Sequence, residues 1–582
     1  MKLGALIAGL GVRVAGAADA WPNARTAEIR ICDLTEDSRT VVPGSLFVAR
    51  SGLRADGKTH IEEAARAGAV AVLTDDPKGG TPAGFDLPVL YALDLPLTAA
   101  RMAERFYGEP SSRLGLVGVT GTNGKTTVTS LVWQLLNASG VRCGLVGTVL
   151  VDDGVEVAPA SMTTPPAIEL SRTLGLMAEA GCRAAALEVS SHALDQKRGD
   201  GLRWKVGVFT NLTGDHLDYH KTMERYAAAK ARLFGLLPAD GVAIVNSADA
   251  AAAGMVRGCR APVWRCVLEA GTGADGAGSD GTGADGGGAE CGAEVLEASL
   301  LGMRLRLRGP WGVVEGGVAL LGRYNAMNAL QAVAAAHALG LGTAAIERGL
   351  ARLTAPPGRL ERVSEAADEV TVFVDYAHSD DSLRSVLGAV GGLMPGRLHP
   401  GGPLREAAGA PAVMPTPGRL WVVFGCGGER DTSKRARMGL VAAELADRVV
   451  VTSDNPRTER PGEIVDQVLA GIPQAMREHV GVQVDRARAI RLAIDCAAPG
   501  DVVVIAGKGH ETEQVLPDGA GGTVTTHFDD REIARQVLAE RRAAGAGTAT
   551  PARVTTGARS ASARRGAGRD AGAGRSRERR AE

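Results

Sequence analysis

Aromatic side chains are scarce in this chain. Phe, Tyr and Trp make up 3% of its 582 residues while 45% are hydrophobic, so Ala, Val and Leu must fill the cores. Net charge is nearly absent as well. The formal balance of −1 excludes whole-chain attraction to nucleic acid or to an anionic membrane. Eight cysteines (Cys32, Cys143, Cys182, Cys259, Cys266, Cys291, Cys426, Cys496) are scattered without a CxxC pair. That argues against a disulfide framework or a cysteine metal cluster and fits a reducing cytoplasm. No apolar run reaches transmembrane length without a charge. Residues 1–20 look like a signal peptide, but Arg13 breaks the apolar run, so a short amphipathic helix or a poorly ordered start is expected.

Glycine is abundant, with 78 residues, and one glycine turn organises the chain. Residues 114–119 form an apolar run that reads as a buried strand. Val128, Leu131, Val132, Leu135 and Leu136 then recur at helical spacing. Between them lies Thr120-Gly121-Thr122-Asn123-Gly124-Lys125-Thr126-Thr127. Such a turn aims backbone N–H groups and the positive end of a helix at one point. Lys125 can meet β- and γ-phosphates and Thr126 can ligate Mg²⁺, so a nucleoside triphosphate site is expected at Gly121, Thr122, Asn123, Gly124, Lys125, Thr126 and Thr127. The stricter pattern GxxxxGK[ST] is not met, because position 119 is Val.

Length alone suggests about four domains. Before residue 113 the chain alternates strand-like and helical pieces around two polar loops, 35–39 and 51–57. Strand candidates at 184–189, 206–209 and 241–246 carry polar residues at their downstream ends, which should bring Glu188, His192, Asn211, Asp215 and His216 toward the phosphates. Four more strands, 370–374, 420–424, 449–452 and 502–506, alternate with helical patterns and predict a second parallel sheet. Their downstream ends read Asp-Tyr-Ala-His, Gly-Gly-Glu-Arg, Asp-Asn-Pro-Arg and Gly-Lys-Gly-His-Glu. Low-complexity insertions are expected at about 269–292 and 393–418. From Arg541 onward eleven arginines face three acids in a tail expected to be disordered.

Taken together, TGTNGKTT, LEVSSHAL, FTNLTGDHLDYH, YAAAK, GRYNAMNALQA, GRLERV, VDYAH, FGCGGERD, TSDNPRTE and AGKGHE resemble the Mur ligase family over residues 35–531. The resemblance implies a three-domain α/β fold: an N-terminal uridine-nucleotide-binding domain (1–113), a central P-loop-type ATPase domain with a mostly parallel sheet (114–357), and a C-terminal Rossmann-like domain (358–540). It implies ATP-driven amide formation through an acyl phosphate, with UDP-N-acetylmuramoyl-L-alanyl-D-glutamate as acceptor and meso-2,6-diaminopimelate as the incoming amino acid. Lys125, Lys230, His216 and Glu188 are then catalytic. Thr126, Glu188, His216 and Lys230, the last carbamylated by CO₂, hold two Mg²⁺ ions. Asn328, Arg359, Asp375 and His378 join the ATP site. Glu36, Ser38, Leu53, Arg54, Ala55, Thr163, Thr164, Ser190, Gln196 and Arg198 meet the uridine-linked substrate. Arg430, Asp454, Asn455, Pro456, Arg457, Gly507 and Glu511 meet diaminopimelate, whose second carboxylate suits a guanidinium.

A cytoplasmic monomer with small-molecule substrates, no nucleic acid and no membrane is expected. A lysine-adding relative, a folylpolyglutamate-synthetase-like ligase and a nucleotide-regulated binding module remain as alternatives. Met162 and the run His378-Ser379-Asp380 depart from the family pattern.

Overall fold

The structure, a computed structural model, describes residues 1–15, 23–52, 56–269, 288–394 and 418–545. Three α/β sheets follow one another along the chain. The first has the order Arg13–Val14, Val89–Tyr91, Ala71–Thr74, Ser45–Ala49, Asp33–Thr35, parallel except at its Arg13–Val14 edge. The N-terminal helix Leu3–Ile7 buries Leu3, Leu6 and Ile7 in this sheet's core, as its amphipathic pattern predicts.

The middle sheet has eleven strands. Seven run parallel in the order Ala289–Ser299, Val263–Leu268, Val242–Asn246, Val206–Phe209, Gly115–Thr120, Ala184–Glu188, Cys143–Val146. Antiparallel strands extend it on both sides, Gly302–Gly309 and Gly312–Val318 at one edge, Leu150–Asp152 and Val157–Pro159 at the other. Helices Lys125–Ala138 and Arg323–Ala338 share a core on one face. Ala329, Ala332, Ala334, Ala335 and Ala336 are fully buried there, so small side chains and close helix approach replace the missing aromatics.

The third sheet runs Glu361–Arg362, Thr371–Asp375, Val502–Ala506, Leu420–Phe424, Arg448–Val451, Val480–Val482, parallel except for the first strand. Three expected boundaries move. Residues 289–292 belong to the strand Ala289–Ser299, because Cys291 and Ala293 are core residues there, so the expected 269–292 insertion is shorter. Met394 is buried against the third core, which trims the 393–418 insertion. The helix Asp530–Gly545 continues past the expected end at 540, since Arg542 pairs with Glu365 and Arg541 with Glu369. The remaining parts of both insertions and of the tail lie outside the described residues. Among the described residues no helix is long and apolar enough to cross a membrane.

Arg486 and Asp530 form an ion pair at 2.7 Å with both side chains fully buried, tying the helix Arg486–Cys496 to the last helix. Arg486 also donates to the carbonyls of Ser453 (3.3 Å) and Ala506 (2.9 Å), beneath two site turns. Asp530→Ala leaves a buried guanidinium without its carboxylate. It should cost about 3–5 kcal/mol and lower the Tm of the unit by roughly 10 °C, checked by calorimetry.

Candidate functional site

The strand Gly115–Thr120 ends at Gly121, and the helix Lys125–Ala138 starts four residues later. Gly121 (φ +148°) and Gly124 (φ +86°) occupy backbone conformations that L side chains rarely adopt. A Cβ at Gly121 would run into Thr210 Oγ1, and one at Gly124 would meet Asn328 Oδ1 at 2.8 Å. The end of the strand Val206–Phe209 braces the loop, with Asn123 N–H donating to Asn211 Oδ1 at 2.9 Å. Lys125 Nζ folds back onto the carbonyls of Gly121 (3.0 Å) and Thr122 (2.9 Å). Burial pushes its pKa down, with Glu188 and Asp215 opposing. Thr127 is buried in the helix's first turn.

Thr126 Oγ1 donates to Glu188 Oε2 at 3.0 Å and accepts from Arg359 Nη2 at 3.2 Å. Glu188 is 1% exposed and also accepts from the N–H (2.6 Å) and hydroxyl (3.0 Å) of Thr148. A cavity of about 280 Å³ opens beside Thr126, Glu188, Gly147 and Pro356. Arg359 Nε is buried and finds no acceptor among the described residues, a donor suited to an anion.

Lys230 sits on the helix Met223–Gly235 and is 1% exposed. Its Nζ donates to Gly121 O at 2.7 Å and lies 4.4 Å from the Tyr226 ring. Burial first, and Lys125 second, hold its pKa well below the usual lysine value. Tyr226, one turn earlier, bonds Thr122 Oγ1 at 3.2 Å. His216 has φ +54° and stands 3.4 Å from Asp215. Its ring meets His192 at 4.9 Å, and His192 packs on Tyr219 and His220. Burial, then His216 and His220, lower His192 to about 4.

Thr164 Oγ1 donates to Glu188 O at 2.7 Å and receives Ser190 N–H at 3.1 Å. Thr163 Oγ1 lies 3.1 Å from Thr148 Oγ1. Arg198 Nη2 donates to Gln196 Oε1 at 2.9 Å, and Arg198 also reaches Thr164 O. Met162 gives Arg198 only a weak sulfur acceptor at 3.3 Å. In the first sheet's loops, Glu36 pairs with Arg50 at 3.6 Å and Ser38 Oγ donates to Glu63 Oε2 at 2.9 Å. Burial lowers Arg198, with Arg50 and Glu36 both close enough to act on it. Leu53, Arg54 and Ala55 lie outside the described residues.

In the third sheet, each polar turn caps the carboxyl end of a strand. Asp375 accepts from the N–H groups of Leu360 (2.6 Å) and Ala377 (2.7 Å), and burial pushes it up to about 6. Tyr376 carries Arg359 over its ring at 4.5 Å and packs on His510 at 5.1 Å. Burial raises the Tyr376 phenol, and Glu511, Arg359, Asp454 and Arg430 all act on it. His378 Nδ1 lies 2.9 Å from Tyr376 O. Contacts thus run from Thr126 through Arg359 and Tyr376 to His510, and the next residue, Glu511, accepts from Asn455 in the turn at 454–457.

Within that turn, Arg457 has φ +53° and its Nη1 donates to Gly428 O at 2.6 Å. A Cβ on Gly428 would collide with Pro456 O. Asp454 is buried, and a Cβ on Gly507 would meet its Oδ2 at 2.8 Å. Arg430 is exposed and has no carboxylate partner among the described residues. Asn455 turns inward: its Oδ1 accepts from Val515 N–H at 3.0 Å and its Nδ2 donates to Glu511 at 2.8 Å.

Some residues that shape the site were not singled out by the sequence. Arg435 is 1% exposed and forks onto Glu459 (2.9 and 3.0 Å) and Gly427 O (3.0 Å), fixing the Gly-Gly-Glu-Arg turn. Nothing in a helical surface pattern marks it. Tyr226 could have been found, because it stands four positions before Lys230 on one helix face.

Three family models match: "Mur ligase family, catalytic domain" over 30–107, "Mur ligase middle domain" over 119–336 and "Mur ligase, glutamate ligase domain" over 403–509. UDP-N-acetylmuramoyl-L-alanyl-D-glutamate–2,6-diaminopimelate ligases from Gloeobacter violaceus and Synechococcus elongatus are 42% and 41% identical. They align over 89% and 90% of this chain and 96% and 97% of their own. A solved structure of a ligase of the same name superposes with a TM-score of 0.63 at 29% identity, covering 93% of this chain and 99% of that one.

Proposed function

The chain belongs to the Mur ligase family, and from that premise we propose that it is the ATP-dependent ligase that joins meso-2,6-diaminopimelate to UDP-N-acetylmuramoyl-L-alanyl-D-glutamate in peptidoglycan precursor synthesis. The observation that carries the reading is the run of contacts from the phosphate loop through Arg359, Tyr376 and His510 to the neighbouring Glu511, which accepts from Asn455 in the turn that bears Arg457. It joins a nucleotide loop to a pocket for a doubly charged amino acid.

The glutamate carboxylate attacks the γ-phosphate, ADP leaves, and the amine then displaces phosphate from the acyl carbon. The first step brings two anions together, so positive charge has to be in place beforehand. Lys125 and Arg359 supply it: Lys125 swings off its two carbonyls, and the free Arg359 Nε finds a phosphate oxygen. Asn328 and Asp375 line the nucleotide end. Thr163, Thr164, Ser190, Gln196 and Arg198 hold the muramoyl peptide beside Glu188, and Glu36 and Ser38 hold the uridine end.

The donor set fits Mg²⁺. Thr126 and Glu188 offer hard oxygen ligands, and His216 with a carbamate on Lys230 would hold a second ion. Bound Mg²⁺ neutralises phosphate charge. Among the described residues no group of three or more His, Cys, Asp or Glu side chains is arranged to hold a metal ion, so substrate phosphates and water must fill most of the shell. The units 1–113, 114–357 and 358–545 close as a cytoplasmic monomer and keep water from the acyl phosphate.

Purified protein mixed with ATP and UDP-N-acetylmuramoyl-L-alanyl-D-glutamate should release phosphate when diaminopimelate is added, and far less with lysine. Lysine-dependent release would move the reading to a lysine-adding enzyme. No release with either amino acid would sink it.

A further inference from the structure

We propose that Lys508 is a positioning residue that sets the charge of the amino-acid pocket and so selects diaminopimelate over lysine. This rests on the ligase reading above. Lys508 follows the strand Val502–Ala506 by two residues and is 0% exposed. Its ammonium has three donors, and three acceptors take them: Asn455 Oδ1 at 3.2 Å, Glu511 Oε2 at 3.0 Å and Glu513 O at 2.6 Å. Asn455 Nδ2 closes the ring onto the same Glu511 Oε2 at 2.8 Å. A buried lysine is rare without this degree of satisfaction.

Two consequences follow from the ring. Glu511 Oε2 is committed, while Oε1 makes no hydrogen bond among the described residues, so one oxygen is left to face an incoming ammonium. The Glu511 charge is also offset from behind. With Glu511 offset, Arg430 and Arg457, which both flank Gly427, are the guanidinium groups left to meet a ligand there. The far end of diaminopimelate carries a carboxylate beside its ammonium and suits that field. The far end of lysine is a bare cation that brings those guanidinium groups no carboxylate, while Glu511 is already offset by Lys508. Lys508 therefore works partly by repelling the wrong amino acid.

The test uses Lys508→Met, which removes charge and donors, and Lys508→Gln, which removes charge but keeps two donors. For each, kcat/KM is measured with diaminopimelate and with lysine at high concentration, alongside the KM values for ATP and the uridine-linked dipeptide. The diaminopimelate-to-lysine ratio should fall by roughly tenfold or more, while the other two KM values stay within about twofold. A ratio that does not move in a folded variant overturns the proposal. Loss of folding in both variants also overturns it, because a residue that tunes pocket charge is dispensable to the fold. Wild-type protein without diaminopimelate-dependent phosphate release would instead sink the ligase reading, so the two failures are separable.

Discussion

Lys230→Ala should lower kcat by about three orders of magnitude or more, and acetate or formate should restore part of the loss. Lys230 is 1% exposed, so its charge cannot be a solvated surface feature. Its Nζ holds Gly121 O at 2.7 Å, directly at the phosphate loop. Burial and the neighbouring Lys125 both disfavour the ammonium, so its pKa lies well below the ordinary value. The sign follows: near neutral pH the uncharged amine gains population, and that is the form that attacks CO₂. The carbamate so formed is an anion, and an anion there finds Lys125 and magnesium rather than repulsion. Alanine removes the tether and leaves room for a small carboxylate to take the same place. Lys230→Arg keeps a cation and cannot be carbamylated, so it should be as inactive and should not be rescued. Phosphate release measured against acetate concentration separates these outcomes. Retention of more than a tenth of wild-type activity by Lys230→Ala without added acid would remove the carbamate from the mechanism.

Lys230 also shows where the sequence stops informing. Its spacing alone describes an ordinary exposed helix lysine. Its burial depends on the Gly121 carbonyl, which lies 109 residues earlier. The phosphate loop was legible because strand, glycines, lysine and helix are contiguous, and each constrains the next locally. The polar strand ends were legible for the same reason: in a parallel sheet the carboxyl ends gather on one side. What was not legible was which polar residues face the ligand and which face inward. Asn455 and Arg457 share one turn, yet Asn455 turns into the frame with Lys508 and Val515. Arg435, Arg486 and Lys508 are charged residues whose burial depends on Glu459, Asp530 and Glu511, partners brought close by the tertiary fold. The antiparallel strands Gly302–Gly309 and Gly312–Val318 likewise extend the middle sheet beyond its expected parallel core.

Arg457→Ala should raise the KM for diaminopimelate by about 100-fold and leave the KM for ATP near its wild-type value, because truncating one partner of a hydrogen-bonded charge pair costs about 2–5 kcal/mol. The backbone fixes where this side chain starts. Arg457 adopts φ +53°, uncommon for a non-glycine residue, and its N–H donates to Val515 O at 3.1 Å. Among the described residues only Nη1 is committed, to the carbonyls of Gly428 (2.6 Å) and Asn455 (3.4 Å). Nε and Nη2 remain, an edge whose fork matches a carboxylate in two parallel bonds. Arg457→Lys keeps the charge but offers a single point donor, so it should recover only part of the affinity. If the pocket read charge alone, lysine at this position would serve as well as arginine. The KM values for ATP and diaminopimelate rising together would show instead that Arg457 supports the turn and does not meet the amino acid. A rise confined to diaminopimelate, larger for alanine than for lysine, places the forked guanidinium against the second carboxylate.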